Sequence, residues 1–61
     1  MYQPHIGDTV LQFWHRNPDG SPITVLPEGK VIQVFGVGCV VEWQSGKREF
    51  FRDTRTLVKQ R

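Results

Sequence analysis

The 61-residue chain has a single cysteine, no long apolar run and no stretch with helical periodicity. One cysteine excludes an internal disulfide, and His5 and His15 lack the partners that a zinc site needs at suitable spacing. A domain of this length buries only about 60% of the surface that its unfolded chain exposes, so its core is small. We therefore expect no metal and no cofactor, and a stability that rests on compact packing or on self-association as a homo-oligomer.

The chain also lacks the segments that direct a protein to a membrane. No apolar run approaches the roughly 20 residues that span a bilayer, and the N-terminus has no charged segment followed by an apolar one. Cys39 lies inside an apolar run with no base beside it, which favours a buried, unreactive thiol in a reducing compartment. We expect a cytoplasmic protein without membrane contact.

The residue sets of common catalytic sites are missing as well. The sequence shows no Ser/His/Asp set, no paired carboxylates and no glycine-rich phosphate loop. Gly36-Val37-Gly38 is explained more simply as a hairpin turn than as a nucleotide cradle. We expect no enzymatic activity.

What the chain does have is a series of short β-type runs separated by turn residues. Strands are predicted over residues 9–15, over both arms of a central hairpin at 29–44, over 47–52 and over 57–59. Pro22 and Pro27 interrupt regular ladders, so residues 16–28 are predicted as a long loop, with a short edge strand at 23–26 as an option. A single 3₁₀ turn is predicted over residues 53–56. The whole chain, residues 1–61, forms one domain.

Alternation in the central hairpin separates an inner from an outer side. Cys39, Val41 and Trp43 share one face, and Val40 and Glu42 take the other. The neighbours Phe50 and Phe51 must point in opposite directions, so only one of them fills the core. The other is exposed, covered by the long loop or used in an interface.

Charge is distributed unevenly along the chain. Residues 47–61 contain six Lys or Arg against two Asp or Glu, a balance of +4, while residues 1–46 contain two against four, a balance of −2. The clustered cations are solvated charges or a surface for phosphate or for an acidic partner.

The order of these runs predicts an all-β fold, a five-stranded SH3-like barrel. Three segments together resemble a Tudor domain: residues 7–14, residues 29–31 and residues 40–46, followed by Phe50 and Leu57. The resemblance implies an aromatic cage for methylated lysine or arginine, with Trp14, Trp43 and Phe50 in the cage positions. A further aromatic expected before the second strand is replaced by residues 25–27, Val-Leu-Pro. The alternative is that Trp43 is core and Trp14 covers an end of the barrel.

Nucleic acid is the other candidate partner. Cations interleaved with aromatics suit base stacking and phosphate contacts. The residues concerned are Lys47, Arg48, Phe50, Phe51, Arg52 and Arg55.

A second resemblance concerns residues 7–10, residues 40–42 and Leu57, which are similar to the framework of plasmid-borne type II dihydrofolate reductases. Their pore-lining segment Val-Gln-Ile-Tyr corresponds to residues 47–51, which are Lys-Arg-Glu-Phe-Phe in this chain. The catalytic residues therefore do not carry over. The sequence favours a non-catalytic binding module for protein or nucleic acid; a structural, oligomerising subunit is the alternative, and a pore-forming reductase ranks below both.

Overall fold

The computed structural model describes residues 2–60, and this part of the chain is all β. The strands are β1 (Thr9–Arg16), β2 (Pro22–Phe35), β3 (Gly38–Trp43), β4 (Arg48–Phe51) and β5 (Leu57–Lys59). They form one antiparallel sheet in the order β4-β3-β2-β1-β5. The all-β prediction is confirmed. The predicted closure is not seen, because the hydrogen-bonded sheet is open and leaves β4 and β5 as its edges.

The long loop predicted over residues 16–28 is wrong in its extent. The connection is a short turn over residues 17–21, held by hydrogen bonds from the Gly20 amide to the Asn17 carbonyl (2.9 Å) and from the Asn17 amide to the Ser21 carbonyl (2.8 Å). Strand β2 then begins at Pro22 and pairs with β1. Pro27 is tolerated because the register shifts around it, so the ladder does not need its missing N–H there.

Strand β2 joins the two halves of the sheet. Its first part pairs with β1, its last part pairs with β3, and residues 29–30 lie where the two ladders overlap. In a flat sheet β3 and β5 would lie about 14 Å apart, three strand spacings. Cys39 of β3 and Leu57 of β5 nevertheless belong to one core cluster, so the sheet curves strongly around it. The other buried members are Val10, Val31, Val41 and Trp43.

Close packing at Gly29 fixes the overlap of the two ladders. Gly29 lies opposite Trp43 in the β2–β3 ladder, and the indole packs against its backbone. A Cβ atom at this position would lie 2.5 Å from Cγ1 of Val41 and 2.6 Å from Cε3 of Trp43. Glycine is therefore required by the close approach of these two side chains.

Two tight turns connect β2 to β3 and β3 to β4 in the central part of the sheet. Gly36 has φ 58° at the first central position of the β2–β3 turn, as a type II′ hairpin requires. Gly46 has φ 89° in the β3–β4 turn, where the Trp43 amide donates to the Lys47 carbonyl at 2.8 Å. Both turns agree with the predicted hairpin boundaries.

The N-terminal segment, residues 2–8, covers one end of the core. Tyr2 packs against the core cluster and Pro4 is buried. The hydroxyl of buried Thr54 donates to the Tyr2 carbonyl, which ties this segment to the β4–β5 connection. The predicted 3₁₀ turn in that connection is a single hydrogen-bonded turn, Leu57 amide to Thr54 carbonyl at 3.1 Å, without a helix.

Candidate functional site

The outward side of β2, β3 and β4 carries an exposed surface that we call the outer face. It is defined by the pairs Val40↔Phe50 and Glu42↔Arg48, together with Phe35, Lys30 and Gln33 of β2. Because paired residues of an antiparallel ladder share one side of the sheet, these side chains form one continuous surface. The opposite side of the same strands faces the core.

Two phenylalanine rings meet at the centre of the outer face. The rings of Phe35 and Phe50 lie 6.0 Å apart between centroids and cross at 68°, an edge-to-face contact. They are 49% and 59% exposed. Val40, half-buried, lies in register beside Phe50. Large aromatic side chains normally bury most of their surface. This pair instead leaves about half of its apolar surface exposed outside the core.

Cations lie along β4 and just beyond its end. Arg48 and Phe50 are two residues apart in the strand and therefore point to the same side, and Arg52 follows the last strand residue in a bend. Arg48 donates from Nε to Oε2 of Glu42 at 2.9 Å, an exposed ion pair. Arg52 is exposed and has no ion pair among residues 2–60. The outer face thus combines two rings with the cations Arg48 and Lys30, and Arg52 follows the end of β4.

Trp43 belongs to the inner side of the sheet. It is only 8% exposed, packs edge to face on Phe51 at 6.2 Å, and donates from Nε1 to Glu49 at 3.2 Å. Phe51 is half-buried against the core cluster. Both side chains serve packing in this structure, which agrees with the alternative interpretation of Trp43 as a core residue.

Trp14 lies on the part of β1 that extends toward the β1–β2 turn. It is 64% exposed and contacts His15 at 4.2 Å between ring centroids. The three predicted cage residues Trp14, Trp43 and Phe50 have different aromatic neighbours: His15, Phe51 and Phe35 respectively. No aromatic ring contact joins them to one another within the described residues.

The remaining predicted site residues are surface cations outside the outer face. Lys47 lies in the β3–β4 turn, where it lines a groove of about 410 Å³ together with Leu26, Pro27 and Glu49. Arg55 lies in the β4–β5 connection and pairs with Asp53 at 3.5 Å. The predicted set is therefore spread over several regions: Arg48 and Phe50 share the outer face, and Arg52 lies just beyond the end of β4.

Phe35 is not among the site residues predicted from the sequence, which include only Trp43 from the central hairpin at 29–44. The pairing of the β2–β3 hairpin indicates the side of the sheet on which Phe35 lies. A two-residue turn at Gly36-Val37 places Phe35 opposite Gly38, on the same side as Val40 and therefore outside the core.

Burial and one hydrogen bond shift the pKa values of three side chains. Burial raises the pKa of the Cys39 thiol, which makes it a poorer nucleophile at neutral pH. The Tyr2 hydroxyl donates to Oδ2 of Asp8 at 2.6 Å, and this bond holds the pKa of the carboxyl below its usual value. Burial, aided by the same bond, raises the pKa of the Tyr2 phenol. The bond between Tyr2 and Asp8 stabilises the N-terminal segment, and neither these groups nor buried Cys39 form a nucleophile–base pair.

Within residues 2–60 no group of three or more His, Cys, Asp or Glu side chains is placed to hold a metal ion. The same part of the chain contains no helix of the length and apolar character needed to cross a membrane.

Comparison of the chain with protein-family models, with curated proteins and with solved structures gave no match.

Proposed function

We propose that the chain is an SH3-like small barrel that acts as a non-catalytic binding module. Its partner is a protein or a nucleic acid, and the outer face of β2, β3 and β4 receives it. The observation that carries the proposal is the exposed pair of Phe35 and Phe50 on that face. The SH3-like assignment is supported by a five-strand meander in which the last strand returns to pair with β1.

The size of the domain makes the exposed rings informative. A chain of 61 residues has little apolar surface with which to build a core, and its buried cluster contains only one aromatic residue, Trp43. Two phenylalanines on the outer face contribute little to that core. Exposed apolar patches of this kind mark interaction surfaces, because the burial of apolar surface by a partner stabilises the complex.

A structural, oligomerising subunit is the second candidate. The four-residue strand β4 is an edge of the open sheet, so it presents unpaired backbone groups to a neighbouring chain. In that case the outer face of one chain is covered by a second copy. A pore-forming reductase ranks below both, since the segment that would line its pore reads Lys-Arg-Glu-Phe-Phe and Glu49 is engaged by Trp43.

The test compares the wild type with the double variant Phe35→Ser/Phe50→Ser. Val37→Ser serves as the matched control, because Val37 is exposed in the β2–β3 turn beside the same face. Each protein is immobilised and used to capture partners from lysate with and without nuclease, and its mass in solution is measured by light scattering. We expect a partner that the wild type and the control retain and that the double variant loses.

Two results count against the binding module. A stable wild-type oligomer that the double variant dissociates assigns the outer face to self-association. Equal capture by all three proteins places any binding elsewhere on the molecule.

A further inference from the structure

We propose that the outer face binds single-stranded nucleic acid, with bases stacked on Phe35 and Phe50 and phosphates contacted by Arg48 and Arg52. This inference rests on the proposed binding function and names the class of its partner. The proposed contacts are with base faces and phosphates, which every nucleotide has, so we expect binding that depends little on the nucleotide sequence.

The first argument is the pattern along β4. Arg48 and Phe50 are two residues apart in β4, a separation of about 6.7 Å on one side of the sheet, and Arg52 follows just beyond the end of the strand. Stacking platforms for single strands use this combination, a π-face for the base and cations that follow the backbone. The placement of Arg48 beside Phe50 follows from the strand and needs no rearrangement of the fold.

The second argument is the access to the rings. The edge-to-face contact between Phe35 and Phe50 occupies at most one face of one ring, and both side chains are about half exposed. Bases in a duplex have their faces covered by neighbouring base pairs, whereas a single strand offers them freely. A surface that acts through ring faces therefore selects single strands.

The third argument distinguishes nucleic acid from protein. Anchoring side chains of a protein partner insert into pockets at the centre of an interface. Lys30 and Glu42 of the outer face line one groove, of about 330 Å³, but neither Phe35 nor Phe50 lines any of the three grooves described on this molecule. Two exposed rings outside these grooves suit a stacked base better than a buried anchor.

The charge of the face limits the affinity. Glu42 engages Arg48, so Arg52 and a partly neutralised Arg48 are the main phosphate contacts, with Lys30 at the far side of Glu42. For about two phosphates neutralised on a single strand, the logarithm of the binding constant falls with the logarithm of salt concentration at a slope of about −1.4. We expect weak binding that is clear at low salt.

The experiment measures fluorescence anisotropy of labelled 15-nucleotide oligo(dT), oligo(rU) and a mixed-sequence duplex at several salt concentrations. The wild type is compared with Phe50→Ala, Phe35→Ala and Arg52→Gln, with Val37→Ser as the control. We expect both single strands to bind more tightly than the duplex, and each Phe→Ala change to weaken single-strand binding about tenfold. Arg52→Gln should make the salt slope shallower by about 0.7, and Val37→Ser should bind like the wild type. Circular dichroism and urea unfolding confirm that the variants fold.

Several outcomes would overturn the inference. Equal affinity for the duplex and for the single strands would show that base stacking on the rings does not contribute to binding. Unfolding of Phe50→Ala would show that this ring is part of the core. If no oligonucleotide binds while a protein is still captured through Phe35 and Phe50, nucleic acid is the wrong partner and the binding module stands. If neither binds and the wild type is an oligomer held by this face, the proposed function fails as well. A preference between oligo(dT) and oligo(rU) identifies which nucleic acid the face takes.

Discussion

The two sides of the β3–β4 hairpin are built from alternate residues of the same strands, yet they have different roles. On the inner side Cys39, Val41 and Trp43 are buried in the core cluster. On the outer side Val40 and Phe50 face away from it, with Phe50 59% exposed. The inner side is the more apolar, with Glu49 as its one charged residue in β3 and β4, whereas the outer side includes the ion pair of Glu42 and Arg48. Val40 and Phe50 nevertheless lie on the outer side, so the direction in which an apolar residue of this hairpin points decides between core and surface.

The largest expected effect tests the inner side. Replacing Trp43 with alanine removes the largest core side chain, its contact with Phe51 and its hydrogen bond to Glu49. We expect a loss of about 3–5 kcal/mol in the free energy of unfolding. That loss approaches the total stability of so small a domain. Urea denaturation followed by fluorescence of the remaining Trp14 measures it, and a near-neutral result would show that Trp43 is not a core residue.

The next prediction concerns the contact that holds the two ladders together at Gly29. Gly29→Ala places a Cβ atom 2.5 Å from Cγ1 of Val41 and 2.6 Å from Cε3 of Trp43, so both side chains must move. Overpacking of this kind costs about 1–3 kcal/mol, again measured by urea denaturation. The double variant Gly29→Ala/Trp43→Ala should lose less than the sum of the two single changes, because the clash with the ring disappears and only the clash with Val41 remains. Additive losses would contradict the contact.

Neighbouring phenylalanines give the closest comparison between the two sides. Phe51→Leu removes the edge-to-face contact with Trp43 and should cost about 1 kcal/mol of stability. Phe50→Leu changes an exposed ring and should stay within about 0.5 kcal/mol of the wild type. Thermal unfolding of both variants under identical conditions measures the difference. Equal losses would mean that the outer ring is as structural as the inner one.

The smallest effect is expected at the N-terminal segment and depends on pH. The hydrogen bond from Tyr2 lowers the folded-state pKa of Asp8, so its contribution to stability is present above the unfolded pKa of about 4 and is lost as pH falls through the folded value. Asp8→Asn should flatten the decrease of Tm between pH 5 and pH 2 relative to the wild type, as scans at intervals of about half a pH unit would show.

Tyr2→Phe provides the control for this pH effect. It removes the donor, so the pKa of Asp8 should rise toward its ordinary value and the acid dependence should weaken in the same direction. If both variants show the same decrease of Tm between pH 5 and pH 2 as the wild type, the Tyr2–Asp8 hydrogen bond does not stabilise the fold.

Much of the fold was predictable because it depends on local chemistry. Turn glycines at positions 36 and 46 and the alternation through Cys39, Val41 and Trp43 set strand boundaries and faces with information from neighbouring residues only. The first part of β2 was not predictable in this way. Pro22 and Pro27 disfavour a strand locally, and β1 nevertheless pairs with this segment because the register shift leaves Pro27 outside the regular ladder.

The candidate site was predictable only in part, for a related reason. Arg48 and Phe50 lie on one strand, so their common direction follows from periodicity, and Arg52 follows directly after that strand. Trp14 and Trp43 are far apart in sequence, and a shared site for them requires knowledge of how the strands are arranged. Phe35 joins Phe50 only because β3 lies between their strands and brings both rings to one side.

By itself the sequence determined an all-β domain with a small core, the two hairpin turns, the inner face of β3 and the excess of cations in residues 47–61. These properties follow from composition, from turn chemistry and from the period of two. Only the tertiary structure decided that β2 is one strand of 14 residues, that Trp43 is buried and that Phe35 and Phe50 meet on the outer face. The reason is physical: burial and long-range contacts depend on which strands are neighbours and how far the sheet curves, and neither is encoded in any single segment.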